Sequence, residues 1–334
     1  MKNIKYLGET TIGFDLPDPY ERRVLMNLDE SPKEDESPDC MIRVRAEKSR
    51  VVLNDKAYPH TWSRDNSDFS FRGKDYFRYG ILTRSIWQRS PNDFLIVSYL
   101  PGDEKGPLKC LRYFYLNSDE HSSNKVLINA SLVSLDSKGY LIIGDHRAGK
   151  TTLALKMMDD FGGSLVSDGK TFLSVEEDIL TGSYLPKPVH LRFSSIAKSE
   201  KLRQLLLKTS ELDATQILEA EDIEDIINNK SYNVDAGVMI SRRRFAHLEG
   251  IKTLPYCGVN GIILLYYLEE GSFTLTPLSD QQVFQAIKRK EEHRPNGGSI
   301  NIGWLKRTKA ISVGFNEKSS ITSKDLEALI SQIN

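Results

Sequence analysis

The octapeptide from Gly144 to Thr151, GDHRAGKT, is the stretch whose residue types and spacing most directly spell out a chemistry. It fits the pattern GxxxxGK[ST], a phosphate-binding loop when a strand precedes it and a helix follows. Each residue type has a reason. Gly144 and Gly149 let the backbone curl so that successive N–H groups converge on phosphate oxygens. The helix N-terminus adds roughly half a positive charge at the same place. Lys150 reaches the β- and γ-phosphates, and the Thr151 hydroxyl can sit on Mg²⁺. The nucleotide-binding set is therefore Gly144, Arg147, Ala148, Gly149, Lys150, Thr151 and Thr152. Average composition yields about 0.01 such matches in a chain of 334 residues, so chance is a poor explanation.

A loop that holds phosphates needs an acid nearby before it can do more than bind. The first acid at a strand end comes 17 residues after Thr151, where SLVS runs into Asp168. No LSGGQ and no NKxD segment is present, which argues against a transporter ATPase or a GTPase switch. Cys40, Cys110 and Cys257 lie far apart with no CxxC pair, so neither a disulfide framework nor a zinc site is expected. No Cys–His–Asp constellation suggests itself.

The elements that must position these residues follow from periodicity. Residues 140–143 read as a short buried strand before the loop, with a turn at Lys138 and Gly139. Residues 150–161 read as a helix, with Leu153, Leu155, Met157, Met158 and Phe161 apolar and Gly162-Gly163 as its stop. Strands are expected at 164–167, 171–175, 234–241 and 262–268, with 273–278 as hairpin partner of the last. Helices are expected at 195–209, 221–229, 280–292 and 324–333, the final one capped by Thr322 or Ser323. The first 135 residues read as β-rich, with strands at 41–45, 79–82, 94–100 and 111–116 separated by turn residues.

Composition bounds the rest. The chain carries 45 basic and 46 acidic residues, so no global basic excess advertises a nucleic-acid binder. Locally, residues 15–39 hold nine acids against three bases, and the segment 31–39 reads as a solvated loop. Residues 41–90 reverse the sign with eleven bases against five acids, interleaved with aromatics such as Trp62, Phe69, Tyr76 and Trp87. That stretch could stack bases and hold a phosphate backbone, but alternating aromatics in a β-domain more often form one core face. The longest apolar run, Ile262–Leu268, has seven residues against roughly 18 needed to cross a bilayer. With no apolar signal core in MKNIKYLGET, a cytoplasmic home with no membrane partner is the expectation.

The stretch from Leu141 to Leu155 and the GSLVSD run from Gly163 to Asp168 resemble the HPr kinase/phosphorylase family, of the phosphoenolpyruvate-carboxykinase-like P-loop group. The segment VLINASLVS at 126–134 is similar to the strand those relatives carry before the loop, with Asn129 where many have His. The opening, Tyr6 to Pro19, is similar in tone to members that phosphorylate serines of small peptides. The resemblance implies an α/β fold: a β-rich N-terminal domain at 1–125, for substrate recognition or regulation, and a P-loop kinase-like domain at 126–334.

It also implies roles. Asp168 would be the general base that takes the proton from an acceptor hydroxyl, with Lys150 and Arg192 as the catalytic cations. Thr151, Asp168 and His190 would hold the metal, with Glu176 or Glu177 as further candidates. His190 falls on the place of a metal-ligand Glu, and Asp168-Gly169 stands where relatives often show two acids. His146 and Arg147 replace a usual Ser and Gly. The cofactors would be ATP and Mg²⁺, and the acceptor a peptide, a protein or a small-molecule hydroxyl. A homo-oligomer is implied by relatives with a related core. Two other readings stand beside this one: a nucleotide-hydrolysing or nucleotide-sensing protein that binds nucleic acid or a protein partner, and a degenerate P-loop module. Two basic segments, 288–294 and 306–309, flank a Gly-rich loop that could serve as a substrate lid, and the cluster Arg242, Arg243 and Arg244 could clamp phosphates.

Overall fold

The computed structural model describes residues 125–185, 189–192, 237–240, 245, 250–268, 273–291, 298–316 and 321–334, and before them the backbone of the strands within 2–98. The chain divides into two compact units, Met1–Leu116 and Asn117–Asn334. The expected strands at 79–82 and 111–116, the helices at 195–209 and 221–229, and the arginine cluster at 242–244 lie outside the described residues.

The described residues of the first unit are short strands: β1 (Lys2–Tyr6), β2 (Thr10–Asp15), β3 (Pro32–Lys33), β4 (Cys40–Ala46), β5 (Phe69–Phe71), β6 (Lys74–Tyr76), β7 (Arg84–Ser90) and β8 (Asp93–Ser98). Six of them form one mixed sheet in the order β3-β1-β2-β4-β8-β7, and β5 pairs with β6 alone. The two-residue β3 lies inside the segment expected to be loop. It sits on the sheet edge, where a proline removes no needed ladder bond.

Among the described residues of the second unit, β9 (Val126–Ile128), β10 (Ala130–Leu135) and β11 (Lys138–Gly144) come first, followed by the helix α1 (Lys150–Phe161). β12 (Ser164–Ser167), β13 (Thr171–Glu176), β14 (Ile179–Tyr184), β15 (Val189–Arg192), β16 (Gly237–Ile240), β17 (Lys252–Thr253), β18 (Tyr256–Tyr267) and β19 (Phe273–Pro277) follow. α2 (Asp280–Lys290), a 3-10 turn at Ile302–Leu305, β20 (Lys309–Phe315) and α3 (Ser323–Ile333) complete the chain. The twelve-residue β18 is the spine. Its later part lies between β11 and β20, parallel to both, while its first residues pair antiparallel with β14, which leads through β13 to β9. One curled sheet therefore serves two layers.

Strand alternation divides the core between them. Val133, Tyr140, Ile142, Leu165, Ile263, Ile311 and Val313 face α1 and α3. Leu132, Leu141, Ile143, Val166, Ile262 and Ala310 face the β9–β13–β14 wing and α2. α3 buries Leu326, Leu329 and Ile333, and each such side chain contributes about 1.5–3 kcal/mol of transfer free energy. Both α2 and α3 open on capping boxes, Ser279 with Gln282 and Thr322 with Asp325.

Three local expectations change. The turn before β11 is Asp136-Ser137, both with positive φ, and Lys138 and Gly139 already belong to the strand. Gly139 is there for space: a Cβ would lie 2.2 Å from the carbonyl oxygen of Gly258. The segment 126–134 is two strands, broken at Asn129, so that β9 joins the wing and β10 the central sheet. Finally, β19 pairs with β20, not with β18. β20 has a buried centre and takes the interior place, while β19 carries Pro277, which suits an edge.

Candidate functional site

β11 ends at Gly144, and the chain turns through residues 145–149 into α1. The turn is tight: Ala148 N–H donates to the Asp145 carbonyl at 3.1 Å. Gly144 has no room for a side chain, since a Cβ would meet Ala148 Cβ and Leu265 O, each at 3.0 Å. Gly149, at φ 82°, is the left-handed residue that opens the helix. Arg147 also has positive φ, 69°. Arg147 adopts that conformation against the usual preference of an L-residue.

Lys150 folds back over the loop, donating from Nζ to the carbonyls of Gly144 at 3.0 Å and Asp145 at 2.8 Å. Its ammonium is thus held at the mouth of the loop. Beside it, Thr151 Oγ1 donates to Asp168 Oδ1 at 2.7 Å. The same carboxylate oxygen accepts from Ser131 Oγ at 2.8 Å. So one acid, one helix N-terminus and the strand next to the loop meet at a point.

Asp168 is held there by the turn that carries it. Ser167 and Thr171 share a buried 2.6 Å hydrogen bond across that turn. Thr171 Oγ1 also lies 3.1 Å from the Ala130 carbonyl of β10. Gly169, at φ 74°, supplies the left-handed step between them.

On its outer rim the loop is charged. Asp145 is highly exposed and ion-paired with Lys290, the last residue of α2. The Lys290 hydrogen bond and charge, aided by Lys150, hold the Asp145 carboxyl below the usual carboxylate range. The Asn129 N–H donates to the Lys290 carbonyl at 3.3 Å, so the strand break also anchors the end of α2 beside the loop.

The opposite rim is aromatic. The Tyr267 hydroxyl donates to the Arg147 carbonyl through a short contact. Phe315 lies under Gly149, where a Cβ would sit 3.2 Å from its Cζ. The two rings are 5.1 Å apart at 59°.

The fold thus gathers Gly144, Arg147, Ala148, Gly149, Lys150, Thr151, Thr152 and Asp168 at one end of the central sheet. His190 and Arg192 lie on β15, which pairs with β16, and their side chains lie outside the described residues. Glu176 ends β13, opposite Ile179, and Glu177 stands in the turn to β14. The two basic segments also part company. Lys290 reaches the loop, whereas Lys309 begins β20 at the end away from Phe315, and residues 292–297 lie outside the description. Cys257 is buried and its thiol is pushed up to about 12, so it is no nucleophile.

Ser131 and Tyr267 carry no site assignment from the sequence, and Lys290 figures there only as part of the basic segment beside a possible lid. Ser131 had a signal: it pairs with Ile142 across the β10–β11 ladder, two residues from the start of the loop.

The donors at the Thr151–Asp168 corner are all oxygens, with a single carboxylate, which suits Mg²⁺ shared with phosphates. Among the described residues no group of three or more His, Cys, Asp or Glu side chains could hold a metal alone. Nor, among them, is any helix long and apolar enough to cross a membrane.

No family model matches the chain, and no curated protein matches it. Among solved structures, the Hpr(Ser) kinase/phosphatase from Coxiella burnetii is a distant neighbour. The alignment covers 62% of this chain and 87% of that one, at 18% identity and a TM-score of 0.31.

Proposed function

We propose that the chain is an ATP-dependent phosphotransferase that moves the γ-phosphoryl group to a hydroxyl, with the serine of a peptide or protein as the leading acceptor. The observation that carries the reading is the 2.7 Å contact between Thr151 Oγ1 and Asp168 Oδ1 at the mouth of a glycine-turned loop beside Lys150. A loop that only gripped phosphate would need no carboxylate there, because a bare negative charge opposes anion binding. An acid so placed is useful if a cation or a proton passes through it.

Thr151 and Asp168 would hold Mg²⁺, which neutralises charge on the phosphates when bound. The loop N–H groups and Lys150 hold the phosphates, and Lys150 exchanges its two carbonyl partners for phosphate oxygens. Asp168 accepts the acceptor's proton on its second oxygen, Oδ2, while Ser131 and Thr151 steady Oδ1. Arg192 is assigned to charge stabilisation by resemblance alone. The N-terminal unit is assigned to recognising the acceptor or regulating the transfer.

The test is a transfer assay with γ-labelled ATP and Mg²⁺ against serine peptides and an extract of small hydroxyl metabolites. Wild type should label an acceptor, and Asp168→Asn should slow transfer by about 10²–10⁴-fold. Label released only as free phosphate would replace the kinase with an ATPase. Equal transfer by Asp168→Asn would remove Asp168 as the base.

A further inference from the structure

The two flanks of the phosphate loop are chemically different. On the β10 and β12 side stand the oxygens of Ser131 and Asp168. On the β18 and β20 side stand Tyr267 and Phe315, at the carboxyl ends of the two strands that follow β11 across the sheet. Carboxyl ends of parallel strands are where ligands bind in open α/β sheets.

A nucleoside triphosphate is an extended molecule with its reacting phosphate at one end and its base at the other. On the phosphotransferase reading, on which this inference rests, the loop and Lys150 hold the middle and Asp168 faces the γ end. The base then leaves the loop on the flank away from Asp168. That flank offers an aromatic ring, Tyr267, 46% exposed despite a seat against the loop backbone. Its position is fixed twice, by the hydroxyl on the Arg147 carbonyl and by the tilted contact with Phe315. Phe315 in turn is wedged against Gly149, so both rings are referenced to the loop itself.

Ordinary packing does not ask for this arrangement. Tyr266, the neighbouring exposed aromatic, is accounted for by the sheet: its hydroxyl is 3.2 Å from Thr274 Oγ1, and its ring covers the space a side chain at Gly314 would fill. Alternation places Tyr267 on the other face, toward the loop. We infer that Tyr267, backed by Phe315, is the stacking platform for the base of the bound nucleotide.

The experiment compares two ligands on the full chain by calorimetry with Mg²⁺: ATP, which has a base, and inorganic tripolyphosphate, which does not. Stacking one base on an aromatic ring is worth about 5- to 100-fold in affinity. Tyr267→Ala should weaken ATP by that factor and change tripolyphosphate less than about twofold, and Tyr267→Phe should retain ATP affinity. Tyr266→Ala should leave the ratio of the two affinities unchanged. A Tyr267→Trp chain gives a second readout, since ATP should quench its added fluorescence and tripolyphosphate should not. Equal weakening of both ligands by Tyr267→Ala would mean that Tyr267 only braces the loop, and would overturn the inference. So would equal binding of ATP and tripolyphosphate by wild type. A wild-type chain that binds neither ligand would sink the phosphate-loop reading itself.

Discussion

Gly149→Ala isolates what the loop does from what the fold needs. Gly149 sits at φ 82°, where an L-residue costs about 1–2 kcal/mol. Replacing Gly returns about 0.5–1 kcal/mol of unfolded-state entropy, so the backbone cost nets to roughly 1 kcal/mol. The new Cβ also meets Phe315 Cζ at 3.2 Å, and that ring is backed by Tyr267, so it yields only by shifting the pair. A total of about 1–2 kcal/mol is small beside the 5–15 kcal/mol of an ordinary domain, so the variant folds. If φ relaxes instead, the N–H groups that open α1 turn from the phosphates. Losing one hydrogen bond to a charged group costs about 1.5–3 kcal/mol, or tenfold and more in affinity. Gly162→Ala is the matched control. It has φ 68° and nothing within 4 Å of a Cβ, at the far end of the same helix. Urea melts should show both variants weakened by similar amounts, and calorimetry should show ATP binding lost at least tenfold only in Gly149→Ala. Equal ATP affinity in the two would refute the argument that this loop geometry binds phosphate.

Other outcomes follow from the same contacts. Ser131→Ala removes one of two donors to Asp168 Oδ1. It should lower kcat more than it changes ATP affinity, and cost about 1–2 kcal/mol in a urea melt. The carboxyl of Asp145 titrates lower in the folded chain than in the unfolded one, because of Lys290. Its stabilising contribution is therefore present above the unfolded carboxylate range and is lost as pH falls through the folded value. The pair is exposed, so Lys290→Met should cost less than about 1 kcal/mol at neutral pH, and nothing below the folded value or in high salt. Cys257, raised from 9.0 to about 12, should resist alkylation at pH 8 in the folded chain and react after denaturation, as peptide mapping would read. Its contribution should make stability fall as pH rises between those two values, because the unfolded chain releases the proton first.

Much of the site could be read from the chain because its parts are local. The strand, the loop and α1 lie within Lys138–Phe161, and their glycines and apolar spacing act on near neighbours. Asp168 was legible for the same reason, at the end of the next strand. What escaped was set by partners far along the chain. Lys290 meets Asp145 from 145 residues away and Tyr267 meets Arg147 from 120, and no periodicity marks either. The β19 pairing failed for a related reason: hairpins are the default between adjacent strands, and only the burial of Ile311 and Val313 gives β20 the inner place. The strand β14 went unread because its turn, Glu177-Asp178, uses two non-glycine residues at positive φ.

On the phosphotransferase reading, Thr151 and Asp168 form the metal corner of a nucleotide site. Water-proton relaxation with Mn²⁺ and ATP tests it most directly. Wild type should enhance relaxation on forming the ternary complex. Thr151→Val and Asp168→Ala should each remove most of that enhancement, and Glu176→Gln should leave it intact. Full enhancement in Thr151→Val and Asp168→Ala would place the metal elsewhere and refute the Thr151–Asp168 corner as its site.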